Sequence, residues 1–360
     1  MRLYPLEQIE SGQILGRSIF GDNGGMLLAA GVELTPSLID KLSDNNIFYI
    51  YIEDEESKGI EPKPLVEDRV MVRTVKSIKD VMETSLYENR AKGRSGVVPL
   101  KMYRKVMDTI QDLLKELESH DDILYTVSEL MGTDMYTYKH CVNVTVLSIL
   151  TAQTLGYNHE QVRNVAMGAL LHDIGKIEVD TELLNKHGTL DHDEMVELMK
   201  HSAIGYEIIK DDPVISSYTK QIVRLHHEKL DGSGYPLGIS GDEIPDFVQI
   251  VTIADMFDAM TSDRAYRLRM PVYSAIEMLM VEAVTRVRPD ILQHFIQNIC
   301  IYPPGTTVRL TDGREGIIVD YRKKTPDRPI IRIIKDPQRS DFYEIDLIRE
   351  LTIFIDGVVD

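Results

Sequence analysis

The 360-residue sequence predicts a mostly α-helical chain, with a small α+β unit before the helices and a small β unit after them. Three observations predict this order. Apolar residues recur at helical spacing over residues 125–300, a glycine-rich turn cluster separates short apolar runs near the N-terminus, and β-branched runs alternate with turn residues after residue 302. The length exceeds that of one ordinary compact core, so two or three domains are expected.

The α+β unit is predicted over residues 1–62. Ile14 to Phe20 has the composition of a strand and leads into the turn cluster Gly-Asp-Asn-Gly-Gly. Thr35 can cap a helix that has Pro36 at its first position. A second strand is predicted at 48–52, before an acidic, proline-containing linker.

Residues 63–122 are predicted to form helices that connect this unit to the central domain. Apolar residues recur three and four positions apart at 65–90 and again at 101–118. The second stripe can pack inside the monomer or form the seam of a homodimer. Packing inside the monomer is favoured, because two heptads are shorter than the usual coiled-coil run.

An all-α domain is predicted over residues 123–302. Its helices are expected at 142–155, 161–171, 194–210, 214–225, 246–260 and 272–298. The character changes after a Tyr-Pro-Pro-Gly segment, and short β-rich runs separated by turn residues predict a β domain over 303–360. Those runs are 308–310, 317–319, 330–334 and 345–348.

Charge and composition restrict the class of partner. The formal net charge of -18 disfavours a polymeric nucleic acid, because an acidic surface repels its phosphates. No apolar run reaches the roughly 18 residues of a membrane helix, and no signal-peptide pattern is present, so a cytoplasmic protein is expected. Cys141 and Cys300 are predicted to be reduced, buried thiols.

Histidine and aspartate residues in the helical domain form the candidate metal ligands. They are His140, His172, Asp173, His201, His226, His227 and Asp255. Imidazole nitrogens and carboxylate oxygens bind iron, manganese and zinc, and so many ligands exceed the need of one ion. A carboxylate that bridges two ions suits a dinuclear site for phosphoryl transfer.

Each of these residues also has an ordinary interpretation. A single histidine on a helix is more often structural, and the tandem His226-His227 could be a solvated pair. Neighbouring residues on a helix point about 100° apart, so His172 and Asp173 can reach one centre mainly at a helix end or kink. Gly175 is predicted to supply the flexibility for such a break.

Three long motifs in a fixed order favour the functional interpretation. They are HDIGK at 172–176, HHEKLDGSGYP at 226–236 and ADMFDAMTSDRAYR at 254–267. Together they resemble the motifs of the HD-GYP branch of the HD-domain hydrolases, over about half of the chain. The resemblance implies an all-helical HD-type bundle at 123–302 and a metal-dependent phosphodiesterase activity on cyclic di-GMP.

The resemblance also implies how the ligands are shared. Asp173 would bridge two ions. The first ion would be held by His140, His172 and Asp255, and the second by His201, His226 and His227. A hydroxide between the ions is the expected nucleophile, because two cations lower the pKa of bound water. The absence of thiolate ligands argues for iron or manganese.

Some family members carry a glutamate four residues before the first histidine, which allows a third metal. That position is Tyr136 here, and a tyrosine is a poor bridging ligand at neutral pH. Two divalent ions are therefore predicted.

Substrate contacts are expected from the same motifs. The predicted contacts are Asp134, Lys176, Tyr235, Asp258, Arg264 and Arg267. Guanidinium groups suit phosphate, an aromatic ring can stack on a base, and a carboxylate can accept hydrogen bonds from a guanine edge. Lys176 could contact the phosphate or orient the nucleophile, with a surface lysine as its alternative. Asp134 could instead be a helix N-cap.

Three functions follow from these expectations. The first is hydrolysis of cyclic di-GMP to pGpG, with continuation to GMP left open. The second is the same chemistry on another cyclic dinucleotide, and the third is a receptor or interaction module with little turnover. An intact ligand set favours an enzyme over a receptor, since binding alone has no chemical need for the metals.

Overall fold

The structure is a computed structural model of the chain. It describes residues 1–21, 25–45, 47–92, 100–119, 123–126, 136–184, 186, 188–262, 270–322 and 325–359, with the side chains of 84–92, 100–102 and 136 outside that description. The chain forms two compact units. One comprises Met1–Asp68, His120–Met135 and Ile299–Asp360, and the other comprises Arg69–Ser119 and Tyr136–Asn298.

The N-terminal part of the first unit is a small α+β assembly, as predicted. Its elements are β1 Arg2–Pro5, β2 Ile14–Leu15, β3 Ile19–Phe20, β4 Met26–Leu28, α1 Pro36–Asp44 and β5 Tyr49–Glu53. Strands β1, β5 and β2 form one antiparallel sheet, and β3 pairs with β4. The single strand predicted from Ile14 to Phe20 is therefore wrong. The run is divided between two sheets after Gly16, whose amide still donates to the Tyr51 carbonyl of β5 at 2.6 Å.

The C-terminal part of this unit is the predicted β domain. Its strands are β6 Thr307–Leu310, β7 Glu315–Arg322, β8 Thr325–Lys335, β9 Tyr343–Asp346 and β10 Ile355–Val358. They form one antiparallel sheet in the order β10-β6-β7-β8-β9. Apolar side chains from β6, β7 and β8, with Leu347, make its buried core.

Contacts between these two parts hold the first unit together. The Leu3 amide donates to the Gly305 carbonyl at 3.0 Å. Arg332 donates from Nη1 to the carbonyls of Glu56 at 3.1 Å and Lys58 at 2.7 Å. The chain thus returns to its N-terminal part after the helical domain.

We expect Arg332→Ala to lower the free energy of unfolding by about 1–2 kcal/mol, because two carbonyls lose a charged donor. Chemical denaturation of the full chain measures this change. Arg349→Ala is the control, since its side chain is 85% exposed and its ion pair with Asp346 spans 3.8 Å. Equal effects of the two substitutions would contradict the assigned role of Arg332.

The second unit begins with two long helices, α2 Asp68–Lys92 and α3 Leu100–Ser119. The apolar stripe of α3 is buried within the chain, at Val106, Ile110, Leu113, Leu114 and Leu117. Buried Ser77 and Thr109 hydrogen-bond between the two helices at 3.0 Å. The structure thus gives this stripe a packing role inside the monomer, and the homodimer stays a prediction.

The rest of the unit is helical, and the predicted fold class is confirmed. Its helices are α4 Tyr136–Thr154, α5 His159–Leu171, α6 Thr181–Leu184, α7 His192–Met199, α8 His201–Ile209, α9 Ser217–Leu225, α10 Asp246–Thr261, α11 Val272–Glu282 and α12 Pro289–Ile296. The single helices predicted at 194–210 and 272–298 are each two helices. The second break has a clear cause, because Pro289 occupies the first turn of α12 and restricts the residue before it.

Five helices form the core that positions the candidate site. Helix α4 packs against α5 and α10, and α9 packs against α5 and α8. Helices α4 and α10 are buried on nearly all sides, which explains their weak amphipathic pattern. Among the described residues, no helix is both long and apolar enough to span a membrane.

Candidate metal centre

The predicted ligands converge from the ends and inner faces of five helices. His140 lies on α4, His201 begins α8 and Asp255 lies on α10, while the His172-Asp173 and His226-His227 pairs follow the last residues of α5 and α9. All are buried except His227, which is half-buried. Residues more than a hundred positions apart therefore meet inside one helical core.

A helix end allows His172 and Asp173 to face the same centre. Helix α5 ends at Leu171, and Asp173 begins a 3₁₀ turn, Ile174–Glu178, with φ -95° and ψ 8°. This departure from α geometry turns the carboxylate toward the imidazole, and Nε2 of His172 lies 3.4 Å from Oδ2 of Asp173. The expected helix end is confirmed.

Gly175 has a different role from the one predicted. Its backbone is not in the left-handed region, so conformational freedom is not the reason for glycine here. A Cβ atom at this position would lie 1.9 Å from the His201 carbonyl oxygen and 2.6 Å from the Gly205 nitrogen. Gly175 therefore allows the turn after Asp173 to touch the backbone of α8.

The first ligand group contains His140, His172 and Asp255. Nε2 of His140 lies 3.0 Å from Oδ1 of Asp255 and 3.7 Å from Oδ2 of Asp173. Nε2 of His172 lies 4.0 Å from the same Asp255 oxygen. These atoms surround one point from three helices.

The second ligand group contains His201, His226 and His227. Nε2 of His201 lies 3.4 Å from Nε2 of His226 and 3.2 Å from Nε2 of His227. Oδ1 of Asp173 lies 3.4 Å from Nε2 of His201. Asp173 thus presents one oxygen to each group.

Hydrogen bonds at Nδ1 orient the histidine rings. Nδ1 donates to a main-chain carbonyl in His172 at 2.7 Å, in His201 at 2.6 Å and in His226 at 3.1 Å. Each bond fixes the tautomer and leaves the Nε2 lone pair directed at the centre, as in many metal-ligating histidines.

The electrostatics favour the protonation states that bind a cation. Burial holds the pKa of His226 well below its ordinary value and lowers the pKa of His227 to about 3. Burial alone would raise the pKa of Asp173, but the neighbouring His172 and Lys176 hold it well below its usual range. Neutral imidazoles and ionised carboxylates are the forms that ligate metals.

His140 differs because carboxylates surround it. Burial opposes its protonation, but hydrogen bonds to Asp255 and Asp258 outweigh burial and raise its pKa to about 9. Its proton thereby supplies positive charge between the carboxylates. A metal cation would supply that charge and displace the proton from Nε2.

Two buried polar atoms without a hydrogen-bond partner in the described part of the chain indicate that a metal ion fits the site. Nε2 of His172 and Oδ1 of Asp173 are buried and have no hydrogen-bond partner among the described residues. Leaving such atoms unpaired in a protein interior is costly. Within each group the ligand atoms lie within 4.8 Å of one another. The nitrogen and oxygen donors therefore fit divalent transition-metal ions.

Asp258 lies behind His140 and not at a substrate surface. The sequence predicts a substrate contact, but this side chain is buried, and its Oδ2 lies 2.7 Å from Nδ1 of His140. Its Oδ1 accepts a hydrogen bond from Asn143 at 2.8 Å. Because both oxygens are engaged, Asp258 orients the His140 ring, and the substrate assignment is corrected. Its position three residues after Asp255 was the available signal, since both lie on one helix face.

We expect Asp258→Asn to weaken Mn²⁺ binding by about 10- to 100-fold, the usual effect of losing a hydrogen bond to a ligating histidine. An asparagine cannot accept from both His140 and Asn143 in this arrangement. Calorimetric titration with Mn²⁺ measures the loss. The control is Asp246→Asn, a 56% exposed aspartate at the start of the same helix. Unchanged affinity in Asp258→Asn would contradict an orienting role.

Two predicted substrate residues lie at the centre. Nζ of Lys176 lies 2.6 Å from Oδ2 of Asp173, and the lysine side chain is 25% exposed, so the surface-lysine alternative is wrong. The Tyr235 ring stacks on His227, with centroids 4.6 Å apart and an interplanar angle of 30°. Asp134, Arg264 and Arg267 lie outside the described residues, as does the side chain of Tyr136.

Comparison with known proteins places this centre in a family. Residues 107–291 match the HD domain, and residues 307–360 match the KOW domain associated with HD domain. The chain is 31% identical over 226 residues to the cyclic di-GMP phosphodiesterase PA4108 of Pseudomonas aeruginosa. The aligned region covers 63% of this chain and 54% of that protein. It is 37% identical over 158 residues to the 3'3'-cGAMP-specific phosphodiesterase 3 of Vibrio cholerae, covering 43% of this chain and 34% of that protein.

One solved structure shows the fold. Bd1817, an HDG"Y"P protein from Bdellovibrio bacteriovorus, matches with a TM-score of 0.51 and 17% identity, over 81% of this chain and 97% of that one. The chain spans about half of the P. aeruginosa protein and about a third of the V. cholerae protein. The HD match runs from α3 to α12 and includes all the candidate metal ligands. This chain belongs to the HD-domain family, in the HD-GYP group that its motifs indicated.

Proposed function

We propose that the protein is a metal-dependent phosphodiesterase that hydrolyses cyclic di-GMP to the linear dinucleotide pGpG. The observation that carries this proposal is that Asp173 lies between the two groups of candidate ligands, with one oxygen 3.4 Å from His172 and the other 3.4 Å from His201. The cyclic di-GMP phosphodiesterase activity named for the P. aeruginosa relative supports the choice of substrate.

The ligand geometry supports two divalent ions, iron or manganese. His140, His172 and Asp255 would hold one ion, and the three histidines of the second group would hold the other. When bound, such ions lower the pKa of water and neutralise charge on phosphate oxygens. In the net reaction, a water hydroxyl joins phosphorus, the bond from phosphorus to the ribose O3′ breaks, and the remaining proton goes to that oxygen.

The residues beside the ligands supply binding and orientation. Lys176 places a cation at Asp173 and could donate to a phosphate oxygen that approaches the centre. The Tyr235 ring borders the second group and offers an aromatic surface to a base. Arg264, Arg267 and Asp134 remain proposed contacts for phosphates and a guanine edge, on their sequence positions alone.

A second candidate is the same chemistry on a mixed cyclic GMP–AMP ring. The specific observation in its favour is the V. cholerae relative named as specific for 3'3'-cGAMP. Base selectivity depends on contacts that the metal centre does not make. The two candidates thus share every step at phosphorus and differ in how the bases are bound.

Turnover by the purified full chain tests these candidates. Cyclic di-GMP and 3'3'-cGAMP are incubated separately with excess Mn²⁺ or anaerobic Fe²⁺, and the products are separated by chromatography. We expect pGpG from cyclic di-GMP. Turnover of 3'3'-cGAMP alone would support the second candidate. Binding of either ligand without turnover under both metals would support a receptor, and would contradict the enzyme proposal.

A further inference from the structure

A buried glutamate lies beside the second ligand group and is not part of it. Glu228 follows His227 directly, and its side chain is fully buried. Burying a carboxyl group is costly unless hydrogen bonds compensate. Its Oε1 accepts a hydrogen bond from the amide of Leu237 at 2.7 Å, nine residues further along the chain. Glu228 thus ties the ligand-bearing turn to the loop that follows.

The loop lies directly on that turn at the point where Tyr235 is held. The Tyr235 amide donates to the His227 carbonyl at 3.2 Å. A Cβ atom on Gly234 would lie 2.5 Å from both the Glu228 Cα and the His227 oxygen. Backbone contacts therefore hold the loop just before and at Tyr235, and the Glu228 carboxyl holds it just after, at Leu237.

The base of the loop is fastened separately. Asp231 accepts from the Ser233 amide at 2.9 Å and from Nε of Arg286 at 3.1 Å. The Leu230 amide donates to the Arg286 carbonyl at 3.0 Å. These bonds do not involve the Glu228 side chain. Removal of that side chain should therefore release the segment around Leu237 and leave the base in place.

The metal ligands next to Glu228 are also held independently. The Thr252 hydroxyl donates to the His226 carbonyl at 2.8 Å, and Nδ1 of His226 bonds to the Val223 carbonyl at 3.1 Å. Neither contact passes through Glu228. Loss of the glutamate should consequently affect the loop more than the metal ligands.

We propose that Glu228 is a positioning residue that holds Tyr235 against His227 and so preorganises the substrate-facing edge of the metal centre. The expected effect on KM rests on the proposed function. The expected effect on the loop rests on the structure alone. A preformed edge lowers the ordering cost of binding. The glutamate should thus influence KM more than kcat.

The first test measures the loop without any substrate. Hydrogen exchange of the full chain is followed at the Leu237 amide in the parent protein, Glu228→Ala and Glu228→Gln. We expect about tenfold faster exchange in Glu228→Ala and parent-like exchange in Glu228→Gln, because a glutamine oxygen can still accept the bond. Unchanged exchange in Glu228→Ala would overturn the proposal.

The second test measures catalysis and metal content together. Glu228→Ala should raise KM about tenfold, change kcat by less than about threefold and keep its bound Mn²⁺, while Glu228→Gln restores KM. The control is Glu207→Ala, an exposed glutamate on α8. Loss of Mn²⁺ from Glu228→Ala, or failure of glutamine to restore KM, would overturn the positioning role. If the parent protein turns over no cyclic dinucleotide, the proposed function fails, and the exchange experiment still decides the role of Glu228 in the loop.

Discussion

Asp173→Asn is expected to reduce turnover of cyclic di-GMP on the order of 10³-fold or more. Asp173 presents Oδ2 to His172 at 3.4 Å and Oδ1 to His201 at 3.4 Å, so we expect it to act as a ligand on both sides of the centre. An amide offers one oxygen and no negative charge, and it therefore cannot bridge two cations. Steady-state kinetics with Mn²⁺, together with the metal content of the protein, measure both consequences.

The change at Asp173 also affects Lys176. That lysine donates from Nζ to Oδ2 of Asp173 at 2.6 Å. Both Asp173→Asn and Lys176→Met remove the ion pair between these two side chains. Their effects on turnover should therefore be strongly non-additive in the double variant. Asp193→Asn, an exposed aspartate on α7, is the matched control. Retention of more than about a tenth of the activity in Asp173→Asn would contradict a bridging carboxylate.

The sequence motifs named histidines and aspartates that the structure brings together inside one helical core. The neighbours His172 and Asp173 required a helix end, and α5 ends immediately before them. That inference needed only the 100° rotation between neighbouring helical residues. The fold class followed from periodicity, which is a local property of the sequence and is therefore visible without coordinates.

The error at Asp258 concerns a contact between distant residues. Asp258 looked like a substrate contact, because nothing local shows that His140, more than a hundred residues earlier, takes its Oδ2. Periodicity also did not reveal that the Leu3 amide bonds to Gly305, which joins the N-terminal and C-terminal parts in one unit. Such pairings depend on tertiary packing, which helical periodicity does not show.

The sequence correctly indicated that a glycine matters at position 175, but the predicted reason, backbone flexibility, was wrong. Replacement of Gly175 has the second large expected effect. In Gly175→Ala the new Cβ would meet the His201 oxygen at 1.9 Å, far inside any normal contact. The neighbouring atoms belong to backbone, which cannot move aside as a flexible side chain can. We expect the free energy of unfolding to fall by about 3 kcal/mol, measured by chemical denaturation.

The same substitution should also impair the metal centre in the molecules that still fold. Separating the turn from α8 moves Asp173 away from His201, and a displacement of about 1 Å at a reacting centre can cost on the order of 100-fold in rate. Gly357→Ala is the matched control, since no atom lies within 4 Å of its Cβ and its φ is not positive.

Gly205→Ala provides the graded comparison from the other side of the contact. Its Cβ would meet Cγ1 of Val223 at 2.9 Å and the Gly175 nitrogen at 3.2 Å, so part of the clash falls on a side chain that can adjust. Its losses in stability and in kcat/KM should therefore lie between those of Gly357→Ala and Gly175→Ala. If Gly175→Ala had the same stability and kcat/KM as Gly357→Ala, the contact between Gly175 and α8 would not determine the position of Asp173. If the losses instead increase from Gly357→Ala through Gly205→Ala to Gly175→Ala, close backbone packing at Gly175 sets the position of Asp173. Backbone flexibility alone would not predict this order, because it does not depend on which atoms the new Cβ meets.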